Sequence, residues 1–130
     1  MNVLVDSTVW IDFLNGQETR QTQKLEQCIQ NRDDICCCGC VLTEVLQGIR
    51  EEKQFANTRR QFENLIYLTD DRSPFELGAT IYRELRRQGV TIRNSTDCLI
   101  AATVIQHNVY FLENDRDYQF IDQHFPINRI

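Results

Sequence analysis

The amino-acid sequence predicts an α/β domain in which a parallel sheet is covered by helices on both faces. Three observations carry that reading. Short apolar runs of strand length recur along the chain, and segments with helical spacing separate them. The third is composition: 130 residues with 42% hydrophobic and 25% charged side chains have the balance of a soluble globular fold. That length suits a single domain, residues 1–130, large enough to bury its own core.

The first strand is expected from Asn2 to Val5, an apolar run that stops at Asp6. Ser7 and Thr8 follow, and Val9, Trp10, Phe13 and Leu14 then keep helical spacing. Gly16 and Gln17 break that pattern, and Thr19 can cap a polar helix reaching about Gln30. After a turn at Asn31 to Asp34, the run Ile35 to Cys40 reads as a second buried strand. Leu42, Val45, Leu46 and Ile49 form the apolar stripe of the next helix, and Glu44 lies off that stripe.

A further polar helix is expected to about Asn64, then a short strand from Leu65 to Leu68 and a turn at Thr69 to Arg72. Ser73 followed by Pro74 starts a helix, Leu77, Ile81 and Leu85 carry it to Arg87, and Gly89 stops it. Val90 to Ile92 reads as a short extended piece. The helix Cys98 to Gln106 is apolar almost all round and therefore buried, and Val109 to Leu112 is the last strand. Glu113 to Asp117 leads into a short helix and a tail with Pro126.

Composition also excludes. No apolar run approaches the roughly 18 residues needed to cross a bilayer, and the first residues lack the pattern of a secretory signal, so a cytoplasmic home is expected. Of six cysteines, four crowd into Cys36, Cys37, Cys38 and Cys40, without the second ligand pair a structural zinc site requires; they read as a buried strand of small apolar thiols. The net charge of −5 argues against a protein that coats nucleic acid by general attraction. A nucleic-acid substrate would have to be held locally, by bound cations and by a basic set in which only Lys24 and Lys53 are not arginines.

In open α/β sheets the ligand lies beyond the carboxyl ends of the strands. Asp6, Glu44, Asp115 and Asp117 fall there, and Asp97 opens the buried helix, where packing against the first strand would bring it to the same edge. Each has a plain alternative: a helix cap for Asp6 and Asp97, a solvated first-turn acid for Glu44, a polar turn for Asp115 and Asp117. Together they are more informative. Carboxylates gathered at one edge repel, and a hard divalent cation removes that cost. An all-oxygen set suits Mg²⁺ or Mn²⁺ rather than zinc, and the matching chemistry is phosphodiester hydrolysis.

Four runs of the chain resemble the successive acidic motifs of PIN domains, especially the VapC-type toxins of bacterial toxin–antitoxin pairs. They are Val3 to Ile11 (VLVDSTVWI), Leu42 to Arg50 (LTEVLQGIR), Ser95 to Ala102 (STDCLIAA) and Asn114 to Tyr118 (NDRDY). The resemblance implies a three-layer PIN-like sandwich with a mainly parallel sheet of four or five short strands. It also implies Mg²⁺- or Mn²⁺-dependent endoribonuclease activity, a homodimer, and a small antitoxin protein that blocks the site. Carried over by motif, Asp6 and Asp97 rank first as metal ligands and Glu44 is the third acid, holding metal or orienting the nucleophile. Asp115 ranks ahead of Asp117 as the fourth. Ser7 and Ser95 would place hydroxyls near metal or phosphate, and Arg50 and Arg116 would contact phosphate or balance charge, with helix caps and solvated salt bridges as the alternatives. Arg86, Arg87 and Arg93 are further candidates for an RNA path.

The chain departs from the family pattern at Glu113, where threonine is common, and at Tyr118, where phenylalanine is common; the second reads as a mild change. Glu113 would either alter metal affinity or face away. Two rival readings fail on residues: a phosphorelay receiver domain needs a lysine after a late strand, and a dehalogenase-like phosphatase needs its Asp-x-Asp after the first strand. A PIN fold serving as a binding module without catalysis is the remaining alternative, and acids at all the motif positions count against it.

Overall fold

The computed structural model describes residues 1–69 and 71–130. The chain runs β1 (Asn2–Val5), α1 (Ser7–Leu14), α2 (Arg20–Gln30), β2 (Asp34–Cys37), α3 (Gly39–Gln47), α4 (Glu52–Phe62), β3 (Ile66–Tyr67), α5 (Ser73–Arg87), α6 (Ser95–His107), β4 (Tyr110–Leu112) and α7 (Asp117–His124). The four strands form one sheet in the order β3-β2-β1-β4, every pair parallel. The three-layer α/β class read from the sequence is the observed one.

Strand order decides where a site can form. From β1 to β2 to β3 the chain steps in one direction across the sheet; from β3 it then crosses back to lie beside β1 as β4. Because parallel crossovers are right-handed, the reversal puts α1–α4 on one face and α5 and α6 on the other. The contacts agree: α1 packs on α2 and α3 and α3 on α4, whereas α5, α6 and α7 pack on one another. The crevice where strand order reverses lies between the carboxyl ends of β1 and β4.

The core sits on both sides of β1. Val3, Leu4 and Val5 are fully buried, as are Phe111 and Leu112 beside them and Ile100, Ala101 and Ala102 of α6. A central strand covered twice has no solvent face, which is why it reads as an unbroken apolar run. Gly78 on α5 allows a close helix approach: a Cβ there would stand 3.2 Å from the Cα of Leu99 on α6.

Local chemistry sets most boundaries. Thr19 caps α2 through a capping box with Thr22. Pro74 occupies the first turn of α5, and Gly89 follows that helix at φ +84°. Asn108 ends α6 in the left-handed conformation.

One expectation is corrected. The second strand ends at Cys37 rather than Cys40: Cys38 is the residue before α3, and Cys40 lies in the first turn of that helix. Val90 to Ile92, the short extended piece, lies outside the sheet in the connection from α5 to α6, and the Val90 N–H bonds back to the Leu85 carbonyl. The expected turn at Thr69 to Arg72 includes residue 70, which lies outside the described residues.

Candidate metal centre at the sheet edge

Asp6 is the first residue past β1, and its backbone N–H still bonds to Leu112 O of β4 at 3.0 Å. That bond fixes the carboxylate in the crevice between the two strands. It precedes α1 in extended conformation, yet its side chain makes no capping hydrogen bond. Instead, Asp6 Oδ1 accepts from the Tyr118 hydroxyl at 3.4 Å and Oδ2 from the Thr8 hydroxyl at 3.4 Å. The plain reading of Asp6 as a cap therefore fails.

Asp97 comes to the same place from the other layer. Asn94, not Asp97, caps α6, by accepting from the Thr96 N–H. Asp97 Oδ1 accepts from the Tyr118 hydroxyl at 3.3 Å, so one phenol hydroxyl stands between two carboxylates that are 91 residues apart in sequence. Glu44 joins from α3, where Oε1 accepts from the Ser7 hydroxyl at 3.2 Å.

The outer acids come from the turn after β4. The Asp117 N–H donates to Asp115 Oδ1 at 2.9 Å, and the Asp115 N–H to Glu113 Oε2 at 2.8 Å. Among the described residues, Asp97, Asp115 and Asp117 are the one group able to bring three ligand atoms within 4.8 Å of one another. Arg93, with a 69% exposed side chain, reaches this group from the α5–α6 connection, at 3.5 Å from Asp115 and 3.4 Å from Asp117.

The electrostatics follow from burial. Desolvation pushes the Asp6 carboxyl up to about 7; repulsion from Asp97 and Glu44 adds to this, against the Ser7 N–H and the Thr8 hydroxyl. Asp97 is pushed up to about 6 by burial first, then by Asp115, Asp117 and Glu44, with the Tyr118 hydrogen bond opposing. Tyr118 itself rises well above the ordinary tyrosine range, through burial and then Asp6 and Asp97, so it stays a neutral donor. The donor set is all carboxylate oxygen, and the repulsion within it is offset only at its outer side, by Arg93, which fits a hard divalent cation. The neighbouring Cys98 thiol is pushed up to about 11 by burial and by Asp97, so it is neutral rather than a ligand.

The other candidates divide. Ser7 is in the centre through Glu44. Arg116 is exposed at the residue before α7. Arg50 lines a separate recess with Ile11, Leu14 and Glu51, and Ser95 is exposed in another beside Tyr82 and Arg83. Arg86 lies over the Tyr82 ring and Arg87 pairs with Glu84, which makes both part of the α5 surface. Glu113 is buried, and Oε1 accepts from Arg129 Nε at 2.8 Å, so its charge is answered away from the crevice. Two participants are hard to see in the sequence. Tyr118 is more than a mild replacement for phenylalanine, because its hydroxyl is the shared donor to Asp6 and Asp97; a polar group gained on a buried aromatic was the available signal. Asn114 accepts from the Thr8 hydroxyl at 2.7 Å, and nothing in the sequence marks that contact.

The family model described as "PIN domain" matches residues 3–123. The chain belongs to the PIN-domain family. This PIN domain is 28% identical over 121 residues to a protein named "VapC ribonuclease Mb1587" from Mycobacterium bovis, across 92% of the chain and 90% of the relative. The same figures hold for "Ribonuclease VapC11" from Mycobacterium tuberculosis. Among solved structures, it shares the fold of VapBC-1 from nontypeable Haemophilus influenzae, with a TM-score of 0.76 at 17% identity over 100% of this chain and 97% of that one. A second is VapBC2 from Rickettsia felis bound to a promoter DNA fragment, with a TM-score of 0.75 at 18% identity over 100% and 98%. No helix among the described residues is long and apolar enough to cross a membrane.

Proposed function

We propose that this PIN domain is a metal-dependent endoribonuclease, residues 1–130 forming its one domain, and that it acts as the toxin of a type II toxin–antitoxin pair. The observation that carries the reading is the convergence of Asp6, Glu44, Asp97, Asp115 and Asp117 at one crevice, with two buried carboxyls held at raised pKa. The names of the relatives support ribonuclease activity, and the structural neighbours titled as VapBC and toxin–antitoxin complexes support an inhibitory protein partner. The homodimer and the cytoplasmic home expected from the sequence belong to the same proposal.

Asp97, Asp115 and Asp117, together with Asp6 and Glu44, would hold a Mg²⁺ or Mn²⁺ ion. A divalent cation bound there would neutralise diester charge and make bound water more acidic. The chain's own residues do the rest. Glu44, steadied by the Ser7 hydroxyl, can accept a proton from a water placed in the crevice. Tyr118 keeps Asp6 and Asp97 in register, and Arg93 can shift from the outer acids to a phosphate oxygen.

Calorimetry with Mn²⁺ on the wild type and on Asp97→Asn tests the metal centre: affinity should be lost in the variant, and equal binding would favour a module without catalysis. Inducible bacterial expression of wild type and Asp6→Asn, followed by mapping of new RNA 5′ ends, tests the activity. Growth arrest and discrete cuts are expected from the wild type alone, and identical patterns from both would refute the nuclease assignment.

A further inference from the structure

We infer that the groove beside Glu44 is a nucleobase subsite, which seats one or two unpaired bases of the RNA strand next to the cleavage point; this rests on the nuclease reading above. The groove has a volume of about 720 Å³ and is bounded by α3, by β3 with the residues after it, and by the starts of α5 and α6. Glu44 lines it and also belongs to the acid centre, so the two spaces are continuous.

Its walls select a base over other groups. Tyr67 and Phe75 line it while 51% and 58% exposed, an arrangement that leaves large apolar surface in water. A Cβ at Gly39 would stand 3.0 Å from the Tyr67 hydroxyl oxygen, so the tyrosine leans across the start of α3 and narrows the groove. Aromatic faces offered to solvent beside a phosphodiester site are stacking platforms, and every base has a π-face to place on them. Gln47 and Asn94 line the same space, and each side-chain amide carries both a donor and an acceptor for a base edge.

Charge argues against a phosphate in the groove. Among the described residues none of its lining side chains is lysine or arginine, and Glu44 would repel an anion. The backbone is therefore placed over the acid centre, where Arg93 and a bound cation would meet it, while the flanking bases turn into the groove, whose described lining has no basic side chain. Such a geometry requires single-stranded or splayed RNA, because a base in a duplex cannot reach an aromatic wall.

Short single-stranded RNAs carrying 2-aminopurine at successive positions test this, since stacking quenches the fluorescence of that base. With the full chain in Ca²⁺, which can supply the positive charge at the acid centre without the tight octahedral geometry of Mg²⁺, quenching is expected at one or two adjacent positions, and Tyr67→Ala or Phe75→Ala should each weaken binding at least about fivefold. Tyr67→Trp should retain the quench and shows that the loss is not a folding defect. Wild-type affinity in both alanine variants overturns the subsite. So does a loss of RNA binding that accompanies a fall in molecular mass by sedimentation velocity, which would give this face to a second copy of the chain. Hydrolysis of bis(p-nitrophenyl) phosphate by the wild type with Mn²⁺ reads the acid centre separately. If it fails while RNA binding still depends on the rings, the nuclease reading falls and the groove is a base-binding site without a cleavage point; if it succeeds while binding ignores the rings, only the subsite falls.

Discussion

Neighbouring strands of this sheet lead into two kinds of metal-capable side chain, and the fold treats them in opposite ways. β2 carries Cys36 and Cys37 and runs into Cys38, all buried; β1 and β4 run into Asp6 and, past Asn114, Asp115. Burial acts on both sets in the same direction, pushing the Cys37 thiol up to about 12 and the Asp6 carboxyl up to about 7. A thiol is already neutral near pH 7, so desolvation leaves its state unchanged. A carboxyl is ordinarily charged there, so the same burial leaves it in conflict with its surroundings, and a cation can resolve that conflict. Crowding of ligand-capable residues thus says little; the mark of a site is a group whose normal protonation state disagrees with its burial.

The strongest way to break this contrast is Asp6→Asn. Loss of a ligand should cost more than loss of a group that merely supports one, so RNA cleavage with Mn²⁺ should fall by more than about 100-fold. In EDTA at pH 8 the same variant should melt higher than the wild type, because it removes the buried charge that the fold tolerates least. Wild-type cleavage by Asp6→Asn would reduce Asp6 to a quiet buried group like the thiols.

A second effect follows from linkage. The folded-state pKa values of Asp6 and Asp97, about 7 and about 6, lie above the value of 3.8 for an unhindered aspartate. Between those limits the folded protein binds more protons than the unfolded chain, so metal-free stability falls as pH rises from about 4 to 7. Thermal melts in EDTA at pH 5 and pH 8 should differ by more than about 5 °C, the lower pH being the more stable. Saturating Mn²⁺ should flatten or reverse the trend, since its binding releases those protons. An unchanged slope in the Asp6→Asn, Asp97→Asn double variant would assign the trend to other groups.

The two regions were also unequally legible. Asp6 and Asp115 could be placed from sequence because each follows an apolar run that has to be a strand, and strand ends define the crevice. Sequence alone carries the thiol run three residues too far, since cysteine suits a buried strand and a buried helix turn alike and Cys38 offers no side-chain cap to mark where α3 begins. α5 could be delimited because proline and glycine constrain the backbone itself. Arg93 could not be told from Arg86 and Arg87: what separates them is the bend after Gly89, which turns Arg93 toward residues more than twenty positions away. Tyr118 was visible as a residue but not as a contact, because its two acceptors meet only after α6 and α7 have packed.

Tyr118→Phe sharpens the comparison from inside the acid centre. One hydroxyl proton serves two carboxylates at 3.3 and 3.4 Å, so it reaches at most one of them well at any moment. Its removal should cost about 1 kcal/mol in metal-free urea unfolding at pH 8, where the acids are charged. At pH 5 both carboxyls hold protons and can satisfy each other, and the cost should shrink. Equal costs at the two pH values would mean that the ring's packing against Phe111, with centroids 4.7 Å apart, is all that Tyr118 contributes.

Cys37→Ala probes the other side and should produce the smallest change. The Cys37 thiol donates only a weak bond to the Cys38 carbonyl at 3.5 Å, so deleting it removes little beyond packing, about 1 kcal/mol or less in urea unfolding. Mn²⁺ affinity by calorimetry and the pH dependence of the melt should match the wild type, because a neutral thiol contributes no charge for the cation to answer. A Mn²⁺ affinity shifted tenfold by this substitution would show that the thiol layer tunes the acid centre across the sheet. Burial alone would then not separate the inert cluster from the reactive one.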